Sequence, residues 1–375
     1  MSERIRNARK ARGWSQERLI KEIQQRAASK ALAVASKSSL KVYVSEWENG
    51  RRSVSSPYKE ILRAVLGMTD DELFPESAPR RAAVDGYDEL VERLESAQTV
   101  GKTVVETLNS QTELLRTVDR QMGAAQLVDQ MGAHIKTLNE ALTFAVLPQD
   151  RRPIAEALAG ASSLAAWQAL DVGAIERAWR HYELAKTSAR EAEQPKFLVH
   201  AMGEQAYVLA DSGKPEVALQ LVQEAVRQAE GRVSPRLMAW LLAAEAEFQA
   251  LNGDVAACHE RLAQADGVMP TDDLLRDPDM PSIFLTSDHL TRWRGNSLAL
   301  LGDDQAVTDL YGVLESMDPT FTRAEAGVRS NLAHAHLVRK EYAEAMTQLQ
   351  KARLLANRTG SVRHRRRIDQ LNGLL

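Results

Sequence analysis

The chain has 375 residues, 44% hydrophobic and 26% charged, which is ordinary for a globular protein and long enough for two or three domains with substantial cores. Its single cysteine, Cys258, excludes an intrachain disulfide, and no apolar stretch follows the early arginines as a signal peptide requires. The longest apolar run, Met238 to Ala244, is interrupted by Glu245 and Glu247 and falls short of the ~20 residues needed to span a bilayer, so a cytoplasmic protein is expected, with no membrane partner.

The net charge of −3 conceals a division. Residues 1–67 carry 15 Lys and Arg against 6 Asp and Glu, a balance of +9, which leaves −12 for the remainder. A basic front on an acidic body suits a nucleic-acid-binding head, because phosphate neutralisation supplies most non-specific DNA affinity. Few aromatic residues and few prolines lean the whole chain toward helix.

In chain order, Ile5 to Lys10 forms a short basic helix that Gly13 breaks. Ser15-Gln16-Glu17-Arg18 has the look of a helix start ahead of Leu19, Ile20 and Ile23. Ser38 or Ser39 can cap a second amphipathic helix, on which Val44 and Trp47 share one face and Lys41, Val42, Ser45 and Glu46 point outward. Asn49-Gly50 stops it, with Gly50 free to turn left-handed, and Arg51 and Arg52 follow at once. Pro57 to Leu66 makes a further helix, closed by the apolar plug Leu73-Phe74.

The segments RNARKARGWSQERL, VSEWENGRR and LRAVLGMTDDELF resemble the Xre/Cro-type helix-turn-helix family over residues 1–75. The resemblance implies a DNA-binding domain in which Gln16 touches a phosphate and Lys41, Val42, Ser45 and Glu46 face the groove, with Ser39 as a further contact. It implies that Arg51 and Arg52 contact the backbone beyond the recognition helix, and that Arg9 and Glu48 form a structural salt bridge. One departure stands out: Gln24 to Ser38 replaces the family's short turn, so either the first motif helix runs on or a loop is inserted. Lys30 and Lys37 within it are within reach of phosphates or lie on a solvated loop.

Residues 76–86, with Pro79, Arg80 and Arg81, read as a linker. In the segment 87–159, the positions Leu94, Ala97, Gly101, Val104, Leu108, Gln111, Leu115, Val118, Met122 and Ala125 alternate steps of four and three, a heptad seam. Either the stripe pairs with its copy in a second subunit or it folds on the next helix, Leu127 to Leu147, as an atypical first repeat. A dimer contact is the favoured expectation, since regulators with such a head bind paired half-sites.

From residue 160 to the end the sequence repeats itself, with helix-to-helix corners at Gly173, Gly213, Gly253, Gly302 and Lys340. Small residues stand seven before each corner (Ala166, Ala206, Ala246, Gly295, Ala333). Five after stand Ala178, Ala218, Cys258, Val307 and Ala345, and twelve after stand Ala185, Ala225, Ala265, Leu314 and Ala352. This register resembles the tetratricopeptide family, although the repeats are longer and lack the consensus Trp, Tyr and Pro; Asp272 to Met280 reads as a loop inside the widest repeat.

The expected fold class is therefore all-α: an N-terminal helix-turn-helix domain followed by an α-solenoid of tetratricopeptide-like helix pairs. Stacked pairs leave a concave face suited to an extended ligand. The inward positions of the first helices are Trp167, His200, Tyr207, Trp240, Glu247, His289, Arg292, Asn296, Ser330 and His334, and eight of them, Tyr207 onward, are the candidate ligand contacts. Trp167 and Trp240 also suit a core, and His200 and His334 a solvated surface. Asn296 is notable because an amide can both donate to and accept from a peptide bond.

Catalytic motifs are missing. Gly101-Lys102-Thr103 is like the end of a phosphate-binding loop, but Ser96 stands where its first glycine belongs; His259-Glu260 begins like a zinc-protease helix, but Ala263 replaces the second histidine. His334 and His336 lie on different helix faces. No cofactor, metal or enzymatic activity is expected. The run Arg363, His364, Arg365, Arg366, Arg367 either binds an anion or DNA or complements the dipole of a solvated last turn. The whole chain resembles the peptide-responsive regulators that join such a head to such a body. It is expected to bind double-stranded DNA as a homodimer and to sense a peptide, small-molecule or protein effector. The alternative is a protein-interaction scaffold whose head does not bind DNA.

Overall fold

A computed structural model describes residues 2–30, 32, 34–49, 52, 54–74, 82–98, 101–272, 274, 276–318 and 320–375. The described residues are all-helical apart from one isolated antiparallel bridge, Arg276 with Phe284, and fall into two compact units, Met1–Val91 and Glu92–Leu375. No described helix is long and apolar enough to cross a membrane.

The first unit holds α1 (Ser2–Ala11), α2 (Gln16–Ser29), α3 (Lys37–Glu48), α4 (Ser56–Leu66) and α5 (Asp70–Leu73). Ser15 caps α2 by accepting from the Arg18 N–H. The cap of α3 is Ser36, which accepts from the Ser39 N–H, and not Ser38 or Ser39, so the helix begins earlier than the sequence suggested. Ile5, Leu19, Ile20, Ile23, Leu40, Val44, Trp47, Leu62, Leu66 and Leu73 share one core, and Phe74 joins it as the plug. The long connection between α2 and α3 resolves both ways. Helix α2 runs on to Ser29, and a short link then crosses to Ser36, held where the Ala35 N–H donates to the Tyr58 hydroxyl at 2.9 Å and Lys30 pairs with Glu60 at 2.8 Å. Gly50, Arg51 and the linker positions up to Arg81 lie outside the described residues; from Ala82 the chain is helical again, in α6 (Ala82–Gln98).

The seam read as one continuous stripe is broken at Gly101, which stands in extended backbone and caps α7 (Lys102–Met122). Val104 and Met122 of the seam are exposed, and the residues α7 buries are Val105, Thr112, Leu115 and Asp119. Val105 and Leu115 pack with α8 (Val128–Phe144) and α9 (Pro148–Asp171) in one cluster, and the Thr112 hydroxyl hydrogen-bonds His134 of α8 at 2.8 Å, so in this unit the segment folds onto the next helices.

Antiparallel pairs follow: α9 with α10 (Ile175–Glu191), α11 (Pro195–Asp211) with α12 (Pro215–Ala229), α13 (Pro235–Leu251) with α14 (Val255–Val268), α15 (Ser287–Leu301) with α16 (Gln305–Ser316), and α17 (Thr322–Val338) with α18 (Tyr342–Thr359), before a last helix α19 (Val362–Asn372). Pro195, Pro215 and Pro235 open three successive helices, where a missing N–H costs nothing. All five corners have positive φ, Lys340 included at 62°. The small residues at the helix contacts are buried, and at Gly295 a Cβ would lie 2.8 Å from Leu310 Cγ, so only glycine allows that approach. The register slips by one after Gly302: Ala306 and Val313 are buried where Val307 and Leu314 were expected.

The ends of the repeat unit meet. Arg323 of α17 binds Asp119 of α7 at 2.6 and 3.1 Å and lies 3.5 Å from Asp171 of α9, while Ser361 donates to Asp171 at 2.6 Å. Gly123, with φ 85°, sits so close to Thr359 that a Cβ there would lie 2.3 Å from its carbonyl oxygen. The solenoid thus turns back on itself around an internal cavity.

Candidate functional site

In the first unit α3 packs Leu40, Val44 and Trp47 inward, which leaves Lys41 exposed and Val42 53% exposed. Ser39, Ser45 and Glu46 are half-buried beside them. Lys41 Nζ lies 3.2 Å from Glu17 of α2, and Arg52 reaches Glu46 at 3.4 Å while its guanidinium covers the Tyr43 ring at 3.8 Å. Arg51 lies outside the described residues. The helix is locked from below. Arg9 donates to both Glu48 oxygens, at 2.6 and 2.8 Å, and to the Trp14 carbonyl at 2.7 Å. Gln16, expected to touch a phosphate, here donates to Glu48 at 2.9 Å. Burial by itself pushes the Glu48 carboxyl up, but the hydrogen bonds from Arg9 and Gln16 and the charges of Arg9 and Arg6 outweigh it and hold its pKa below the usual carboxylate value.

The second unit holds a cavity of about 630 Å³. Of the ten inward positions, Trp167, His200, Tyr207, Trp240, Glu247, His289, Arg292, Asn296 and Ser330 line it. His334 does not; it sits behind Arg367, whose Nη2 donates to His334 Nδ1 at 3.4 Å. His200, for which a solvated position was an option, is buried. The first helices of successive repeats place these side chains together because each repeats the same phase.

Hydrogen bonds tie the lining across repeats. The Tyr207 hydroxyl donates to Glu247 at 2.8 Å and accepts from the Trp293 indole at 3.4 Å. Asn331 donates to the Asn296 side-chain oxygen at 2.6 Å, setting two amides side by side. Arg363 of α19 binds Asp211 of α11 at 2.5 and 3.1 Å and lies over Trp167 and Tyr207 at 5.3 and 5.4 Å. Burial opposes the charge on Arg363, yet the Asp211 carboxylate outweighs it and holds the guanidinium above the ordinary arginine value.

Low dielectric governs the other titratable groups. Burial pushes Glu204 up to about 8 despite the Arg116 charge, and pushes His200 and His289 down to about 3. His364 is likewise lowered to about 3 by burial and by Arg363. Glu247 is raised by burial, against the Tyr207 hydrogen bond.

The sequence reading missed the members brought in by closure. Arg116, Asp119 and Arg120 come from α7, read only as a heptad seam, and Arg323 comes from the start of α17. Arg363, His364, Arg366 and Arg367 also line the cavity; the basic run occupies the first half of α19 rather than a solvated last turn. That run was the one available signal.

Fold and cavity together define a class: an all-helical chain joining a small basic unit to a helical-repeat unit that surrounds a cavity lined by charged, amide and aromatic side chains. No protein-family model matches it, and no curated protein matches it in sequence. Among solved structures it is similar to aspartyl phosphate phosphatase F from Bacillus subtilis, at 15% identity and TM-score 0.44 over 92% of this chain and 90% of that one. It is also similar to a Rap protein complexed with competence and sporulation factor, at 13% identity and TM-score 0.44 over 96% and 97%. A third is Bacillus thuringiensis PlcR in complex with the peptide PapR7 and DNA, at 11% identity and TM-score 0.30 over 95% of each chain. The likeness extends along nearly the whole of each chain and is distant in both sequence and backbone.

Proposed function

We propose that the protein is a cytoplasmic, sequence-specific DNA-binding transcriptional regulator that acts as a homodimer, with a helical-repeat unit that senses a peptide effector. One observation carries the reading: α3 turns Lys41 and Val42 outward while Leu40, Val44, Trp47 and the Arg9–Glu48 pair fix its other face, inside a segment with a balance of +9. An exposed helix held so rigidly on a basic unit suits insertion into the major groove, where Lys41 would reach a base edge and Arg52 the backbone. Two half-sites bound by two copies would multiply the discrimination of one helix.

The cavity supports the sensing half of the proposal. Its volume lies within the ~300–1,000 Å³ typical of ligand clefts, and its paired asparagines offer donors and acceptors that match a peptide backbone. A ligand held there touches helices from every repeat as well as α7 and α19, so it can favour one pitch of the solenoid over another. It shifts that balance only by its differential affinity for the two shapes.

Selection of duplexes from a randomised pool by the full-length protein tests the first half. The expected result is an inverted repeat of two short half-sites, bound by wild type and relaxed in sequence by Lys41→Ala. Absence of any enriched duplex at low salt would instead favour a head that docks protein.

A further inference from the structure

We infer that the effector is an acidic peptide, one that presents at least two separated carboxylates to the cavity. The inference rests on the peptide-effector reading above and adds the charge of the ligand.

Seven arginines line the cavity against four carboxylates: Asp119, Glu204, Asp211 and Glu247. Three of the arginines are already answered. Arg323 is paired with Asp119 and Asp171, Arg363 with Asp211, and Arg116 with Glu113 at 3.2 Å. Arg120, Arg292, Arg366 and Arg367 have no carboxylate within ion-pair distance among the described residues. Arg120 and Arg292 are instead stacked near the rings of Phe284 and Trp293, each at 5.3 Å.

The two remaining acids do not balance them. Glu247 is engaged by Tyr207. Glu204 lies 3.6 Å from His200, and its Oε2 is buried without a hydrogen-bond partner; with its pKa raised to about 8 it is mostly neutral at neutral pH. Burial and the like charges of Arg116 and Arg276 lower Arg120 to about 10, so it stays cationic. Arg366 is exposed and solvated, but Arg120, Arg292 and Arg367 are largely covered, and a cavity holding them unanswered is electrostatically incomplete, because desolvated charge is costly until it is paired.

The unanswered charges are also spread out. The charged groups facing Arg120 are Arg116, Arg276, Glu113 and Asp119, whereas those facing Arg367 are Glu247, Asp211 and Arg363. Arg120, over Phe284 on the α7 side, and Arg367, against His334 on the α19 side, thus share no charged neighbour and occupy different parts of the cavity lining. A chain with two spaced side-chain carboxylates answers both, and each guanidinium can take a carboxylate in bidentate fashion.

The test uses full-length protein and two random hexapeptide pools, one containing Asp and Glu and one with Asn and Gln in their place, with retained peptides identified by mass spectrometry after gel filtration. Retention from the acidic pool, enriched in Asp or Glu at two positions and weakening as salt rises, is the expected result. Arg120→Gln and Arg367→Gln should each abolish enrichment at a different one of those positions, by about tenfold or more, as loss of one charge-assisted hydrogen bond predicts. The comparison of pools needs wild-type protein alone, so it stands if a variant fails to fold. Equal retention from both pools, or a preference for basic peptides, overturns the inference and leaves the peptide reading intact. Retention of no peptide from either pool overturns both.

Discussion

Separating Arg9 from Glu48 should cost the first unit a large part of its stability. Both side chains are nearly buried, at 10% and 1% exposure, and they share two hydrogen bonds at 2.6 and 2.8 Å. Removing one partner leaves the other charge buried without its principal counter-charge, worth about 3 kcal/mol, the low end of the usual range because Gln16 and Arg6 still face Glu48, and Arg9→Met also orphans the Trp14 carbonyl, about 1 kcal/mol more. The double change Arg9→Met/Glu48→Leu removes both charges and should cost much less than the sum of the single changes. The pH dependence has a definite sign. Because the folded Glu48 pKa lies below the ordinary value of 4.5, its contribution is complete above that value and is lost as pH falls through the folded pKa. Glu48→Gln should lack this acid sensitivity. Hydrogen exchange of α1 and α3 peptides in the full chain, read by mass spectrometry, reports the opening free energy. Single variants within about 1 kcal/mol of wild type, or a double variant as damaged as the sum, would refute the reasoning.

Gly295→Val should overpack the α15–α16 contact, since even a Cβ would meet Leu310 at 2.8 Å; a loss of about 1–3 kcal/mol in thermal unfolding of the repeat unit is expected. Glu204→Gln should stabilise the repeat unit increasingly with pH. The folded pKa of about 8 lies above the unfolded value near 4.5, so what the bound proton contributes is present below 4.5 and lost as pH rises through 8, and only wild type suffers that loss. The gap in Tm between the two proteins should widen across that window. Neutral buried His200, with its folded pKa near 3, acts in the opposite sense: its contribution is complete above 6.5 and is lost as pH falls toward 3, so His200→Gln should flatten the acid limb of the same Tm profile.

The repeat architecture was legible because its corners are spelled by spacing. Four glycines and Lys340 recur at intervals the helices impose, and Lys340 adopts the same left-handed turn without being glycine. Small residues seven before and five after each corner marked the close helix approaches, which is why the first helices, and hence nine of the ten inward positions, fell on one cavity. The slip to Ala306 was not legible, since neighbouring Val307 is also apolar and periodicity alone does not choose between adjacent positions in a short helix. The seam through Gly101 misled for a related reason: a four-three pattern does not show where the backbone stops being helical. Closure left still less trace. Asp119 and Arg323 are 204 residues apart, Asp211 and Arg363 are 152 apart, and neither pair belongs to any local pattern. Only the density of charge in α19 hinted that the chain end had a partner.

Fluorescence anisotropy across a salt series, with the selected duplex and a scrambled one, bears most directly on the claim that α3 reads DNA. Lys41→Ala should weaken the selected duplex by about 1–3 kcal/mol and leave the scrambled one nearly unchanged. Arg52→Ala should weaken both alike and flatten the salt dependence. Wild type that does not distinguish the two duplexes, or two variants that act identically on each, would contradict the account.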